Sequence, residues 1–184
     1  MLTQNQDRYL ETIPEDKLTH IQDFKPAVKE ASGKVVEKIK EGNPDWNVWP
    51  MGSSELGIAG QNDIDINIPI KPAEVPNYLP RLKALFGEPR QSEKLPMKWV
   101  FEQDGFEVEL YLTDGTSETF KEHLAVFTEI KYRSDLRLRY EEIKKNFDGK
   151  SFKEYMRAKY EFFNDILESQ KGKSAAVAEG QSLI

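Results

Sequence analysis

The stretch GSSELGIAGQNDIDINIPI, residues 52–70, decides the fold. Its second half, residues 63–70, alternates polar and apolar side chains with period two, which predicts a strand buried on one face. On that strand Ile64, Ile66 and Ile68 point into a core, and Asp63 and Asp65 project together from the opposite face. Two like charges on one face cost energy, and a divalent cation between them reverses the sign, as in sites for phosphoryl or nucleotidyl transfer. Taken alone, a D-x-D pair is more often an exposed polar face at a sheet edge. The first half of the stretch favours the cation. Gly52, Ser53 and Ser54 follow a short strand expected within residues 46–51, and Gly57 and Gly60 let the loop between the strands bend where a Cβ would collide. Small residues with free backbone N–H groups and hydroxyls can approach a phosphate chain closely.

Working outward, Pro26 stands at a first helical position, and Ala27, Val28, Ala31, Val35, Val36 and Ile39 follow at helical spacing until Gly42 ends the run. The segment before Gly42 therefore reads as helices. Beyond Pro72 a helix is expected over residues 78–86, then a hairpin whose arms, 97–102 and 106–112, flank the Asp-Gly turn signal in Gln103-Asp104-Gly105. On the second arm Glu107, Glu109 and Tyr111 share one face, so Glu109 or Glu107 completes an acidic triad with Asp63 and Asp65. Glu109 is favoured because it lies deeper in the strand, between Val108 and Leu110. Three more helices are expected, over residues 117–130, 134–147 and 151–169, and the tail from 171 to 184 has no usable periodicity and is expected to fray.

Composition bounds the function. The chain has 184 residues, and 26 Lys plus Arg against 32 Asp plus Glu gives 26 − 32 = −6 at pH 7. Residues 1–170 are read as one domain, able to bury a core at 38% apolar content. No window approaches the ~18 consecutive apolar residues of a membrane helix. The N-terminus lacks the basic flank and apolar centre of a secretory signal, so the expected location is the cytoplasm. With no cysteine and two histidines, His20 and His123, any metal is expected to be held by carboxylates, as Mg²⁺ or Mn²⁺. A pI near 5.2 argues against general nucleic-acid binding but leaves a small phosphorylated ligand open.

Two motifs are decoys. Asp63, Asp65, Asn67 and Glu74 have the spacing of a calcium-binding EF-hand loop, but the glycine that loop needs is Ile68, and an extended strand cannot wrap an ion. Gly172-Lys173-Ser174 looks like the end of a P-loop, but the earlier glycine is replaced by Leu167 and the segment follows a helix.

Positive charge gathers late in the chain. Lys131, Arg133, Arg137, Arg139, Lys144 and Lys145 outnumber Asp135, Glu141 and Glu142, giving 6 − 3 = +3, with Leu136, Tyr140, Ile143 and Phe147 as the apolar stripe that Arg137 and Lys144 border. Lys159 falls near the centre of an apolar face made by Phe152, Tyr155, Met156, Phe163 and Ile166. A lysine there snorkels, pairs with a carboxylate or reaches a ligand phosphate.

A glycine-serine loop about ten residues before a D-x-D strand resembles the DNA polymerase β-type nucleotidyltransferase superfamily, and within it residues 46–167 resemble the GrpB family. The resemblance rests on Gly52-Ser53-Ser54, the bend Gly57-Ile58-Ala59, Ile64-Asp65-Ile66, His123-Leu124, Tyr140 with Lys144, and Tyr155 with Lys159 and Phe163. Two departures stand out: Val126-Phe127-Thr128 where the family often has Phe-Arg-Asp, and Glu109 and Tyr111 where it has strand histidines. The resemblance implies an α+β minimal nucleotidyltransferase fold, a short mixed sheet flanked by helices with a helical C-terminal part. It implies transfer of a nucleoside monophosphate from an NTP to an acceptor that the sequence does not identify. Asp63, Asp65 and Glu109 would act as metal-binding catalytic residues, and Gly52, Ser53, Ser54 and Lys159 would contact nucleotide. The alternative is a nucleotide-binding or interaction module that keeps the fold without turnover.

Overall fold

The computed structural model describes residues 1–90 and 94–180, with side chains described as far as residue 172. In chain order the elements are α1 (Gln4–Glu11), α2 (Pro26–Lys40), β1 (Trp49–Met51), α3 (Gly52–Leu56), β2 (Ile64–Ile70), a 3₁₀ turn (Pro72–Glu74) and α4 (Val75–Phe86). The hairpin β3 (Met97–Gln103) and β4 (Phe106–Asp114) follows, then α5 (Glu118–Tyr132), α6 (Ser134–Asn146) and α7 (Phe152–Gly180). The protein is α+β, with a mixed four-stranded sheet in the order β1-β2-β4-β3: β2 and β4 run parallel, and both outer pairs are antiparallel. Among the described residues no helix is long and apolar enough to cross a membrane.

The chain divides into two compact units, Gln22–His123 and Met1–Ile21 with Leu124–Ile184. The first holds the whole sheet. On one face Ile64, Ile66, Ile68, Ile70, Val108, Leu110, Leu112, Met97 and Trp99 are buried together with Val28, Ala31, Val35 and Ile39 of α2 and Leu82 of α4. The period-two isoleucines therefore do what their spacing requires. Trp99 is anchored as well as packed, its Nε1 donating to the Gly87 carbonyl at 2.8 Å, which answers the polar group of an otherwise buried indole. The turn of the hairpin puts both Asp104 (φ 53°) and Gly105 (φ 81°) in the left-handed region, the geometry whose twist matches two paired strands.

The second unit is helical. Leu10 and Ile13 pack on Tyr155 and Met156, and the segment from Leu18 to Ile21 is pinned to the loop before α7: Thr19 N–H donates to the Lys150 carbonyl, Gly149 N–H to the Thr19 carbonyl, and Ile21 N–H to Asp148 Oδ1. α1 carries a capping box, Thr3 accepting from Gln6 N–H while the Gln6 side chain accepts from Thr3 N–H.

Several expectations need correcting. The first strand is shorter than residues 46–51, because only 49–51 find partners on β2. The last helix runs to Gly180 rather than 169, so Gly172-Lys173-Ser174 lies within it; of the expected frayed tail, residues 181–184 lie outside the described residues. On the apolar face of α7 it is Phe162 rather than Phe163 that is buried with Tyr155, Met156 and Ile166, and Lys144 is buried rather than bordering its stripe. The helix expected over 78–86 begins at Val75 and carries Pro80 within it.

Candidate functional site

Gly52, Ser53 and Ser54 form the first turn of α3 rather than a loop. Helix is favoured because Gly57 (φ 69°) takes the left-handed position that ends it, with Gly57 N–H donating to the Ser54 carbonyl and Ile58 N–H to that of Ser53. Ser53 and Ser54 are buried. The Ser54 hydroxyl donates to the Asp63 carbonyl and so ties α3 to the entrance of β2. Asp63 precedes the strand instead of lying on it, since β2 begins at Ile64 after Asn62 adopts φ 56°.

The register decides which carboxylates meet. Asp65 on β2 is the Cα partner of Glu109 on the parallel strand β4, and of Met51 on β1. Partners in register share a face, so Asp65 and Glu109 stand side by side on the face opposite the isoleucine core. Gly52 completes the setting. A Cβ built there would lie 2.1 Å from Asp65 Oδ2 and 3.1 Å from its Cγ, so the carboxylate occupies space that only a glycine leaves open. Asp63 instead lines a cleft of about 290 Å³ with Glu107, Gln22, Lys25, Gln61 and Asn62. The two candidates for the third carboxylate are thus separated: Glu109 is level with Asp65, and exposed Glu107 shares the cleft with Asp63.

Glu109 is engaged through both oxygens. Lys98 Nζ lies 2.7 Å from Oε1 and the Tyr111 hydroxyl donates to Oε2 at 2.6 Å. The row continues with Asn67, whose Nδ2 meets Met51 Sδ at 3.4 Å and whose Oδ1 accepts from the Thr113 hydroxyl at 3.1 Å. Lys98 was not singled out by its sequence. Its place between Met97 and Trp99 assigns it to the polar face, but its reach to Glu109 is diagonal across the sheet and depends on a register that no local pattern encodes. Among the described residues, no three His, Asp or Glu side chains are grouped to hold one metal ion.

Residues 19–169 match the family described as GrpB protein. The chain belongs to the GrpB family. A crystal structure of the conserved protein GrpB from Enterococcus faecalis is similar over 82% of this chain and 98% of that one, with a TM-score of 0.62 and 14% identity; at that identity the likeness is one of fold. The sequence matches no curated protein. The site residues expected from the sequence are divided between the two units of this GrpB chain. Gly52, Ser53, Ser54, Asp63, Asp65 and Glu109 belong to the sheet unit, and Lys159 to the helical one. There Lys159 is half-buried on α7, its Nζ 5.5 Å from the Phe163 ring centroid. Exposed His123 lies in α5. Lys144 is the surprise of the GrpB helices: 6% exposed, it donates to the Tyr155 hydroxyl at 3.1 Å and sits 4.7 Å from the Tyr140 ring centroid, contacts that offset part of the cost of burying an ammonium.

Proposed function

We propose that the polar face of this sheet binds a nucleoside triphosphate with a divalent cation and transfers its nucleoside monophosphate to an acceptor hydroxyl or phosphate, releasing pyrophosphate. The observation that carries the reading is Asp65 beside Glu109 on adjacent parallel strands, with Asp65 seated against a backbone that leaves no room for a Cβ. That donor set suits a hard, oxygen-seeking ion such as Mg²⁺ or Mn²⁺. Asp65 and Glu109 would hold it, and Asp63, which lines the neighbouring cleft, is assigned to the metal on its sequence pattern alone. When bound, the ion supplies charge neutralisation at the phosphates and polarisation of the acceptor oxygen.

The chain's own residues do the positioning. Ser54 fixes the Asp63 carbonyl and through it the start of β2. Tyr111 orients Glu109 by donating to one of its oxygens. Gly52 and Ser53 offer backbone to a phosphate, and Lys159 is assigned to phosphate on its sequence pattern. The second reading is a nucleotide-binding module without turnover, and the observation in its favour is that Lys98 and Tyr111 already satisfy both oxygens of Glu109. Calorimetry with the four NTPs in Mg²⁺, paired with a pyrophosphate assay over a panel of acceptors, tests both. Metal-dependent binding with pyrophosphate release supports transfer, binding without release supports the module, and no nucleotide binding overturns both.

A further inference from the structure

Among the strand positions on the polar face of the sheet, Lys98 is the single cation, set against Asp65, Glu102, Glu107 and Glu109. Its register partner on β4 is Tyr111, while that of Glu109 is Val100. The ammonium therefore crosses diagonally to reach the carboxylate, passing 5.3 Å from the Tyr111 ring centroid. The pair is largely covered yet reachable from solvent: the side chains are 22% and 24% exposed, so an entering cation can displace the ammonium only by supplying Glu109 with the positive charge it loses. Glu109 is the carboxylate the register sets beside Asp65. An ammonium and a divalent cation compete for the same oxygen, because both are satisfied by the same negative charge.

From this we infer that Lys98 is the internal counter-ion of the cation site: it neutralises Glu109 in the empty protein and exchanges that carboxylate for a phosphate oxygen when metal and nucleotide arrive. The inference rests on the reading of this face as a metal and nucleotide site, and it adds a residue that the sequence pattern did not mark. It makes two effects of opposite sign. With Lys98 removed, bare metal meets no competitor at Glu109 and binds more tightly. Nucleotide loses an ammonium partner for its phosphates and binds more weakly. A lysine that only braces the sheet produces neither combination.

The test is a calorimetric titration of Mn²⁺ alone, and then of ATP in saturating Mn²⁺, into the full chain and its Lys98→Met, Lys98→Arg and Glu109→Gln variants. Methionine keeps an apolar stem against the Tyr111 ring, so the variant retains its packing, and a thermal melt checks that it does. Lys98→Met is expected to bind Mn²⁺ about tenfold more tightly and ATP about tenfold more weakly, a factor of ten each way being one unit of log affinity. Lys98→Arg keeps the charge and stays near the parent for both ligands. Glu109→Gln loses Mn²⁺. If the parent and Lys98→Met both fail to bind Mn²⁺, the metal reading falls and takes this inference with it. If both bind equally and Glu109→Gln does not, the metal reading stands and the exchange is overturned, as it is if Lys98→Met tightens metal but leaves ATP unchanged.

Discussion

At the scale of the residue, Gly52 shows how one missing side chain shapes a site. Its φ of 74° is one that L residues adopt at a cost, and a Cβ would collide with the Asp65 carboxylate. Gly52→Ala should lower stability by about 1–2 kcal/mol from the backbone alone, and swing the carboxylate out of register with Glu109. Urea unfolding and Mn²⁺ titration check the two effects separately. A variant as stable as the parent and equally able to bind Mn²⁺ would show that the carboxylate is not seated on this glycine. Thr19 poses the opposite case. It is fully buried and its backbone groups are paired, yet its hydroxyl Oγ1 has no partner. Thr19→Val keeps the branched shape and removes an unanswered polar atom, so it should stabilise the helical unit by about 1 kcal/mol, read as a rise in urea midpoint at constant slope; a fall would mean that the hydroxyl is satisfied in solution.

At the scale of the element, what was legible depended on how local its cause is. The β2 isoleucines and the Asp104-Gly105 turn are written in two or three residues, and both form as expected because period and turn chemistry need no distant partner. Gly105→Ala tests the turn: nothing lies within 4 Å of a Cβ there, so the penalty is the positive φ alone, about 1 kcal/mol, and a denaturation midpoint unchanged from the parent would count against it. The Lys34–Asp104 pair beside it is exposed, although Lys34 holds the Asp104 carboxyl below its usual range, and Lys34→Ala should therefore change little. The glycines of residues 52–60 predict a loop free to bend where a Cβ would collide; in the structure Gly57 instead ends a single helical turn. Asp63 was placed on the strand by its alternation, but Asn62 in the left-handed region delays the strand by one residue. Lys98 and Lys144 were opaque for a different reason. One acts across strands and the other is buried where two helices pack, and neither fact is a property of a helical wheel or an alternation.

At the scale of the whole molecule, alkali reaches both units, since burial raises the phenol of Tyr78 in the sheet unit as it raises those of Tyr140 and Tyr160 in the helical one. Tyr140 on α6 is buried against Phe162 and Phe163, with ring centroids 5.8 Å and 5.4 Å away. Burial pushes its phenol above the usual 10.0, with Lys144 and Lys159 pulling the other way and Tyr155 adding to the rise. Tyr160, in the same unit, is raised for the same leading reason. A group whose pKa is raised by folding contributes stability that is fully present below its unfolded value and is lost as pH climbs through the folded one, because the unfolded chain releases the proton first. The helical unit should therefore weaken from about pH 10 upward. All three tryptophans, Trp46, Trp49 and Trp99, lie in the sheet unit, so their fluorescence reports one unit while helical circular dichroism is weighted toward the other. In an alkaline titration the dichroism should fall first, because two raised phenols, Tyr140 and Tyr160, act on the helical unit and one, Tyr78 against Trp46, on the sheet unit. Tyr140→Phe removes one proton that the unfolded chain would release and should shift the first transition upward, narrowing the gap. Coincident transitions, unaltered in Tyr140→Phe, would mean that the phenol is solvated and the two units melt as one.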